Sequence, residues 1–309
     1  MADTGGAHSA GGGAGNGSTR AAGSFGPNAW LVDDLYERYL ADPNSVSASW
    51  REFFADYAPS AVPGPIVDAS AATPTPTETK AEEPAIPLRG AAARIVANME
   101  ASLAVPTATS VRVVPARLLE VNRQVLNEHL ARTTGAKVSF THLIGFAVVK
   151  GLGAVPAMNA TFVEGIDEKG TPGVVRHEHV GLGLAVDVEK SDGTRTLMVP
   201  CIKSADQLNF RAFVTAYEDL VRKVHGGSAA VEDFQGTTVS LTNPGTIGTV
   251  QSAPRLMPGQ GAIIGVGALG YPAGFEAADP RVLAELGLGK VVTLTSTYDH
   301  RIIQGAESG

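Results

Sequence analysis

Thr295-Ser296-Thr297-Tyr298-Asp299-His300-Arg301-Ile302-Ile303-Gln304-Gly305 is the stretch that decides the fold. β-Branched residues crowd its first half and the positions just before it, so residues 290–297 read as a strand. The strand runs straight into Asp-His-Arg. Histidine changes charge near neutral pH, and a rigid strand end would hold it steady enough to act as a general base. A plain surface histidine would look the same, and the residues alone leave both readings open.

Working outward, Ser240-Leu241-Thr242-Asn243-Pro244-Gly245-Thr246-Ile247-Gly248 shows a related layout. A strand over 237–241 delivers hydroxyl and amide groups into a Gly-rich turn. Such a turn points donors at a developing oxyanion, although Asn-Pro-Gly is also ordinary turn chemistry. Residues 110–115, 180–186, 196–202 and 262–266 read as further strands. Helical spacing marks 91–103, 116–133, a very apolar 141–152, which is expected to be buried, and 209–224. Helices interleaved with strand runs predict an α+β fold or a mixed α/β sheet with flanking helices.

The chain before residue 88 has a different character. Its 309 residues carry a net charge of −7, and residues 1–90 hold 11 acidic against 5 basic side chains. Residues 1–24 are Gly, Ala, Ser and Thr with almost nothing to bury, and they are expected to be a disordered tail. Residues 25–57 place Trp30, Leu31, Leu35, Tyr39 and Leu40 at helical spacing. They break at Asp42-Pro43-Asn44, then put Trp50, Phe53, Phe54 and Tyr57 on one side of a second helix, with Ser47 as its N-cap. This helical hairpin is too small for a core of its own. Its aromatic face must dock on the same polypeptide or on a partner, and partner docking is the expectation carried forward. Residues 58–87 hold seven of the 19 prolines and read as a Pro/Ala/Thr linker. The main domain spans 88–309.

Composition excludes several classes. With 44% hydrophobic and 18% charged residues, the chain is not wholly disordered. No apolar run is long enough for a membrane span, and the N-terminus is not a secretory signal. A single cysteine, Cys201, fits a reducing compartment, and in its apolar strand it reads as a core thiol. The acidic balance argues against a nucleic-acid partner. Gly265-Val266-Gly267-Ala268-Leu269-Gly270 matches G-x-G-x-x-G, but Tyr271-Pro272-Ala273-Gly274 follows where a nucleotide site needs a helix start. His177-Glu178-His179 lacks a third metal ligand nearby.

Taken in order, these segments resemble the catalytic domain of dihydrolipoamide acyltransferases. They are the opening helix Arg94-Ile95-Val96-Ala97-Asn98-Met99 with Ser102 and Pro106-Thr107, the strand Val180-Gly181-Leu182-Gly183-Leu184-Ala185-Val186, Thr242-Asn243, Gly261 to Gly267, and Asp299-His300-Arg301. Residues 25–57 resemble the extreme N-terminus of the thiamine-dependent 2-oxoglutarate dehydrogenase component. The pair together resembles the front of the multifunctional 2-oxoglutarate dehydrogenase/decarboxylases of actinobacteria.

The resemblance implies a chloramphenicol-acetyltransferase-like fold and transfer of a succinyl group between CoA and a dihydrolipoyl group. His300 would be the general base and Thr242 the oxyanion donor, with Asn243 and Gln304 in support. It further implies cytoplasmic trimers with the site between subunits. No Asp-Lys-Ala hairpin is present, so a lipoyl-bearing acyltransferase would supply the acyl carrier, with dihydrolipoamide dehydrogenase as a further partner. Thiamine diphosphate and magnesium are expected in a part following Gly309, because the family continues past this point. The family reads His-x-x-x-Asp-Gly where this chain has Gln304 before Gly305. That substitution keeps a second expectation alive: a trimer-forming scaffold or acyl-CoA sensor without turnover.

Overall fold

In the computed structural model the described residues are 25, 28–57, 87–88, 91–189 and 195–309. The expected disordered tail, and the expected linker up to residue 86, lie outside them. In chain order the helices and strands are α1 (Ala29–Ala41), α2 (Ala48–Ala55), α3 (Ala91–Leu103), β1 (Thr107–Pro115), α4 (Arg117–Thr133), α5 (Phe140–Ala154), β2 (Ala160–Val163), β3 (Gly173–Arg176), β4 (Leu182–Leu184), β5 (Val186–Glu189), β6 (Arg195–Met198), β7 (Cys201–Ile202), α6 (Phe210–His225), β8 (Val239–Thr242), β9 (Ala262–Val266), α7 (Pro280–Glu285), β10 (Val291–Asp299) and α8 (Gly305–Ser308). Six strands form the main sheet in the order β1-β10-β9-β8-β4-β7. β8 is parallel to both β4 and β9, and the other pairings are antiparallel. This is the mixed sheet with flanking helices that the sequence predicts.

β10 is the longest strand of the centre, and its alternation sets the layering. Thr293, Thr295 and Thr297 are all buried. Thr297 bonds hydroxyl to hydroxyl with Thr109 across to β1 at 2.8 Å. Opposite Thr295 stands Gly265 of β9, where a Cβ would strike the Thr295 hydroxyl. The glycine that opens the G-x-G-x-x-G run is therefore there for sheet packing. A bridge from Gly270 to Val291 and a short helical turn at Ala273–Phe275 follow it, as the sequence reading expected.

The strands read as 180–186 and 196–202 each divide. β4 and β7 stay in the main sheet, while β5 and β6 leave it to pair with each other. Pro200 explains the switch. Its carbonyl accepts from Leu184 N–H at 2.8 Å, but it has no N–H to continue a ladder. A second small sheet pairs β2 with β3, a stretch to which the sequence pattern assigns no element.

α5 lays one side onto the sheet. Ile144, Gly145, Val149 and Leu152 are buried while Lys150 is exposed, so the helix is half-buried, not enclosed. Ser139 caps it by accepting from His142 N–H, and His142 Nδ1 accepts from Ser139 N–H, both at 3.2 Å. That bond fixes the neutral tautomer with its proton on Nε2, which lies 3.0 Å from a Glu218 carboxylate oxygen on α6. Burial lowers the His142 pKa and outweighs the pull of Glu218.

The hairpin does not wait for a partner protein. Phe25, Leu31, Val32, Val46, Trp50, Phe53, Phe54 and Tyr57 are buried in one core cluster with the sheet domain. α1 packs on α3, and α2 packs on the helical turn at Val231–Phe234. Trp50 Nε1 donates to the Ala229 carbonyl at 3.3 Å. Asn28, fully buried, pins the entry. Its Nδ2 donates to the carbonyls of Val199 (2.8 Å) and Phe234 (3.1 Å), and its Oδ1 accepts from Val199 N–H (2.9 Å). The expectation of partner docking fails because this chain already supplies apolar surface and carbonyl acceptors for that face. Two smaller readings shift as well. Leu40 is exposed, and the Ser47 hydroxyl, although at the N-cap position of α2, lies against Ser49 instead of capping.

Two outcomes follow. Asn28→Ala leaves Val199 N–H and two carbonyls buried without partners, and it should lower the unfolding free energy by about 2–3 kcal/mol. Leu40→Ala, on the exposed side, should change it by less than about 0.5 kcal/mol; urea titrations of the two variants decide this. For His142 the folded pKa lies below the unfolded 6.5. The unfolded chain therefore takes up a proton that the folded chain refuses. The contribution of this residue is complete above pH 6.5 and is lost as pH falls through the lowered folded value. His142→Gln, which keeps an acceptor for Ser139 N–H, should remove that part of the acid sensitivity in thermal unfolding scans across pH 4–8.

Candidate functional site

The site residues predicted from sequence fall at two ends of one sheet. His300 follows the end of β10, where Asp299 N–H bonds to the Gly261 carbonyl at 3.0 Å and His300 N–H bonds to the Pro106 carbonyl at 2.9 Å. The chain then folds back, with the N–H of both Ile302 and Ile303 bonding to the Asp299 carbonyl. Ile303 is fully buried and anchors this turn. Asp299 is 2% exposed, and its carboxylate is clamped by Arg301 through Nε at 2.9 Å and Nη2 at 2.7 Å. The Arg301 guanidinium in turn lies 3.7 Å above the Phe162 ring. This ion pair and cation–π stack hold the backbone around His300.

The imidazole is oriented by a carbonyl. His300 Nδ1 donates to the Ile303 carbonyl at 3.1 Å, which leaves Nε2 with the lone pair and without a partner among the described residues. The ring packs edge-on against Tyr298 with centroids 5.6 Å apart, and the residue is exposed. Gln304 makes no hydrogen bond to this ring. It is exposed at the N-cap position of α8, and its N–H donates to the Glu307 carboxylate at 2.7 Å.

Thr242 ends β8 and is half-buried. Among the described residues its hydroxyl has no hydrogen-bond partner. The following turn is tight because Gly245 lies against the Gly267 backbone, where a Cβ would collide with the Gly267 carbonyl group. The N–H groups of Thr246, Gly248 and Thr249 are used within the turn. That leaves the Thr242 hydroxyl as a donor without a partner among the described residues at this strand end. Asn243 faces the other way: its Nδ2 donates to the Thr141 hydroxyl at 2.7 Å and ties the turn to the start of α5.

Thr242 opens onto a cavity of about 390 Å³. Ser240 and Gln260 line it beside Thr242, Leu197 and Val199 form another side, and Ile95, Asn98 and Met99 of α3 cover it. Ser240 Oγ donates to Gln260 Oε1 at 2.9 Å, and both residues are buried. Gln260 Nε2 is buried with no acceptor. Sequence reasoning missed Gln260 and the Ile303 carbonyl. A lone Gln after Pro258-Gly259 has no motif, and a backbone acceptor has no residue type to read.

The register separates the two halves. Asp299 pairs beside Gly261, at the start of β9, while Thr242 pairs with Gly265 near its end. About five residues of strand rise and two strand spacings put His300 and Thr242 roughly 20 Å apart in one chain. Asn243 stays with Thr242 and Gln304 with His300.

The other candidates take structural roles. Cys201 is buried, and burial pushes its thiol up to about 11, so it is a core thiol as expected. His177 bonds to the Thr161 hydroxyl at 2.7 Å and His179 to Asp206 at 3.1 Å. Among the described residues no cluster of three or more His, Cys, Asp or Glu could hold a metal ion, and no helix is long and apolar enough to cross a membrane.

Comparison with known proteins bears on this geometry. Residues 80–309 match the family model for the 2-oxoacid dehydrogenases acyltransferase catalytic domain, and residues 24–61 match that for the 2-oxoglutarate dehydrogenase N-terminus. The multifunctional 2-oxoglutarate metabolism enzyme of Mycolicibacterium vanbaalenii is 47% identical over 92% of this chain, and that of Mycobacterium sp. strain KMS is 44% identical over 92%. The chain spans 27% and 28% of these relatives' lengths. Among solved structures, a probable dihydrolipoamide acetyltransferase from Listeria monocytogenes superimposes with a TM-score of 0.61 at 23% identity, covering 74% of this chain and 91% of that one. The cubic core of a pyruvate dehydrogenase multienzyme complex gives 0.59 at 25% identity, covering 76% and 92%. With a family match over most of its length and the same fold in solved acyltransferase cores, the chain belongs to the 2-oxoacid dehydrogenase acyltransferase family, of which it carries the catalytic domain behind a 2-oxoglutarate dehydrogenase N-terminal segment.

Proposed function

We propose that this domain transfers a succinyl group between CoA and a dihydrolipoyl group carried by a partner protein, and that two copies of the chain build each site. The observation that carries the reading is the pair of half-sites. His300 has Nδ1 committed to a carbonyl and Nε2 free, and Thr242 has a free hydroxyl at the opposite end of the same sheet. A single copy cannot use both, whereas adjoining copies in a closed ring can. The trimer implied by the family resemblance is the oligomer proposed here.

In the reaction, His300 Nε2 removes the proton from the incoming thiol. Free thiols have pKa values of ~8.5 and are mostly protonated at pH 7, so the base raises the thiolate share. The thiolate attacks the thioester carbonyl carbon. Negative charge gathers on the carbonyl oxygen, and the Thr242 hydroxyl of the adjoining copy donates to it. Collapse breaks the original C–S bond, and the departing thiolate takes the proton back from His300. The Ile303 carbonyl fixes the tautomer without a carboxylate at position 304. This geometry favours turnover over a silent scaffold.

The remaining assignments belong to the same proposal. Residues 25–57 are the hairpin, 58–87 the linker and 88–309 the acyltransferase body. A lipoyl-bearing acyltransferase and dihydrolipoamide dehydrogenase are the partners, and the cytoplasm is the compartment. Thiamine diphosphate with magnesium belongs to a neighbouring part of the larger enzyme. No step here passes through it.

The test is acyl exchange between succinyl-CoA and dihydrolipoamide in the whole protein. His300→Ala should lower kcat by about 10²–10⁴-fold and Thr242→Val by about 10²–10³-fold. Wild-type rates in both variants would sink the assignment. Co-expression of the two variants should restore activity, with about a quarter of sites intact at equal mixing, because each site draws one residue from each copy. If the mixed protein stays as inactive as its parents, sites are not shared between copies.

A further inference from the structure

The cavity beside Thr242 has an uneven chemistry. Ile95, Met99, Leu197, Val199, Met257 and Ile263 make most of its wall apolar. Among the described residues Arg255 is the one ionisable side chain that lines it. The Arg255 side chain is exposed and makes no ion pair or hydrogen bond with any described residue, so its charge is available at the cavity. A second unspent donor is buried alongside. Gln260 is 4% exposed, its Oε1 is taken by Ser240, and its Nε2 has no acceptor. Buried polar groups in folded proteins are nearly always satisfied, so an unpaired donor on a residue that lines the cavity stands out.

We propose that this cavity is the acyl pocket and that Arg255 selects acyl groups ending in a carboxylate; the inference rests on the transfer reading above and names its specificity residue. The thioester carbonyl sits at Thr242. The methylene carbons lie along the apolar wall, and the distal carboxylate pairs with the Arg255 guanidinium at the exposed rim. Gln260 Nε2 donates to an acyl oxygen from the floor. A neutral acyl group of similar length fills the same wall but leaves Arg255 without a counter-charge. A guanidinium also suits a planar carboxylate better than an ammonium would.

The experiment compares succinyl-CoA with acetyl-CoA as donors to dihydrolipoamide in the whole protein, as a ratio of kcat/KM values. Arg255→Met should lower the succinyl-to-acetyl ratio by about 10- to 100-fold, the worth of a charge-assisted hydrogen-bonded pair. Arg255→Lys should recover part of it. Gln260→Leu, of similar volume, should weaken both donors together. A wild-type protein that transfers succinyl, with a ratio unmoved by Arg255→Met, overturns the assignment alone. A wild-type protein that transfers neither group overturns the transfer reading and this assignment with it. A circular dichroism spectrum and melting temperature matching the parent show that the variants are folded.

Discussion

The placement of β9 between a parallel β8 and an antiparallel β10 is the constraint from which the chemistry of this domain follows. Because β8 and β9 run the same way, Thr242 leaves the sheet at the end where β9 finishes. Because β10 runs against them, His300 leaves where β9 begins. Neither side chain reaches across the roughly 20 Å between these ends. The fold thus keeps His300 and Thr242 apart within one chain, which is why the proposed reaction draws them from two copies. The local devices at each end serve this plan. The Asp299–Arg301–Phe162 stack stiffens one end, and the close seat of Gly245 on Gly267 stiffens the other.

Carboxamides do much of the joining between layers. Asn159 donates to the carbonyls of His177 and His179 and accepts from Thr238, so it links the small β2–β3 sheet to the start of β8. Asn28 joins the hairpin to the strand region around Val199. Asn243 joins the Thr242 turn to α5. A carboxamide both donates and accepts, so one residue can satisfy stray backbone groups of both signs where regular ladders stop. Gln260, beside the cavity, has its Oε1 taken by Ser240 and its buried Nε2 without a partner among the described residues.

Much of the architecture was legible in the sequence, for identifiable reasons. The helix over 91–103 and the strand over 262–266 fall where periodicity put them, and β10 is shifted from 290–297 by one residue at its start and two at its end. These elements are long or strongly patterned, so local spacing dominates. The strand-end positions of His300 and Thr242 were legible, because both follow runs of strand-forming residues. What escaped was set by contacts distant in sequence. No local pattern announces that Pro200 will send one run of β residues into two sheets. None shows that Asn28, in a stretch of turn-like composition, will find carbonyls 171 and 206 residues away. The aromatic face of the hairpin was visible, but its occupant was not, because periodicity gives a face and never its address. The role of the Ile303 carbonyl was hidden for a simpler reason: every residue has one.

The Asn28 pin carries a consequence for how such a protein could be assembled from parts. Val199, the residue it grips, also lines the cavity beside Thr242, and α1 leans on the same α3 that covers that cavity. The segment resembling a 2-oxoglutarate dehydrogenase N-terminus is therefore not a detachable label on an acyltransferase. Grafted onto another acyltransferase, it would need an equivalent of Val199 and of the Phe234 carbonyl, or it would bury an amide with nothing to bind. Once those contacts exist, drift in the hairpin and drift in the pocket wall constrain each other. Recombination at this boundary would have to move both together, which makes the junction a poor place for domain shuffling and a natural point for the two parts to become inseparable.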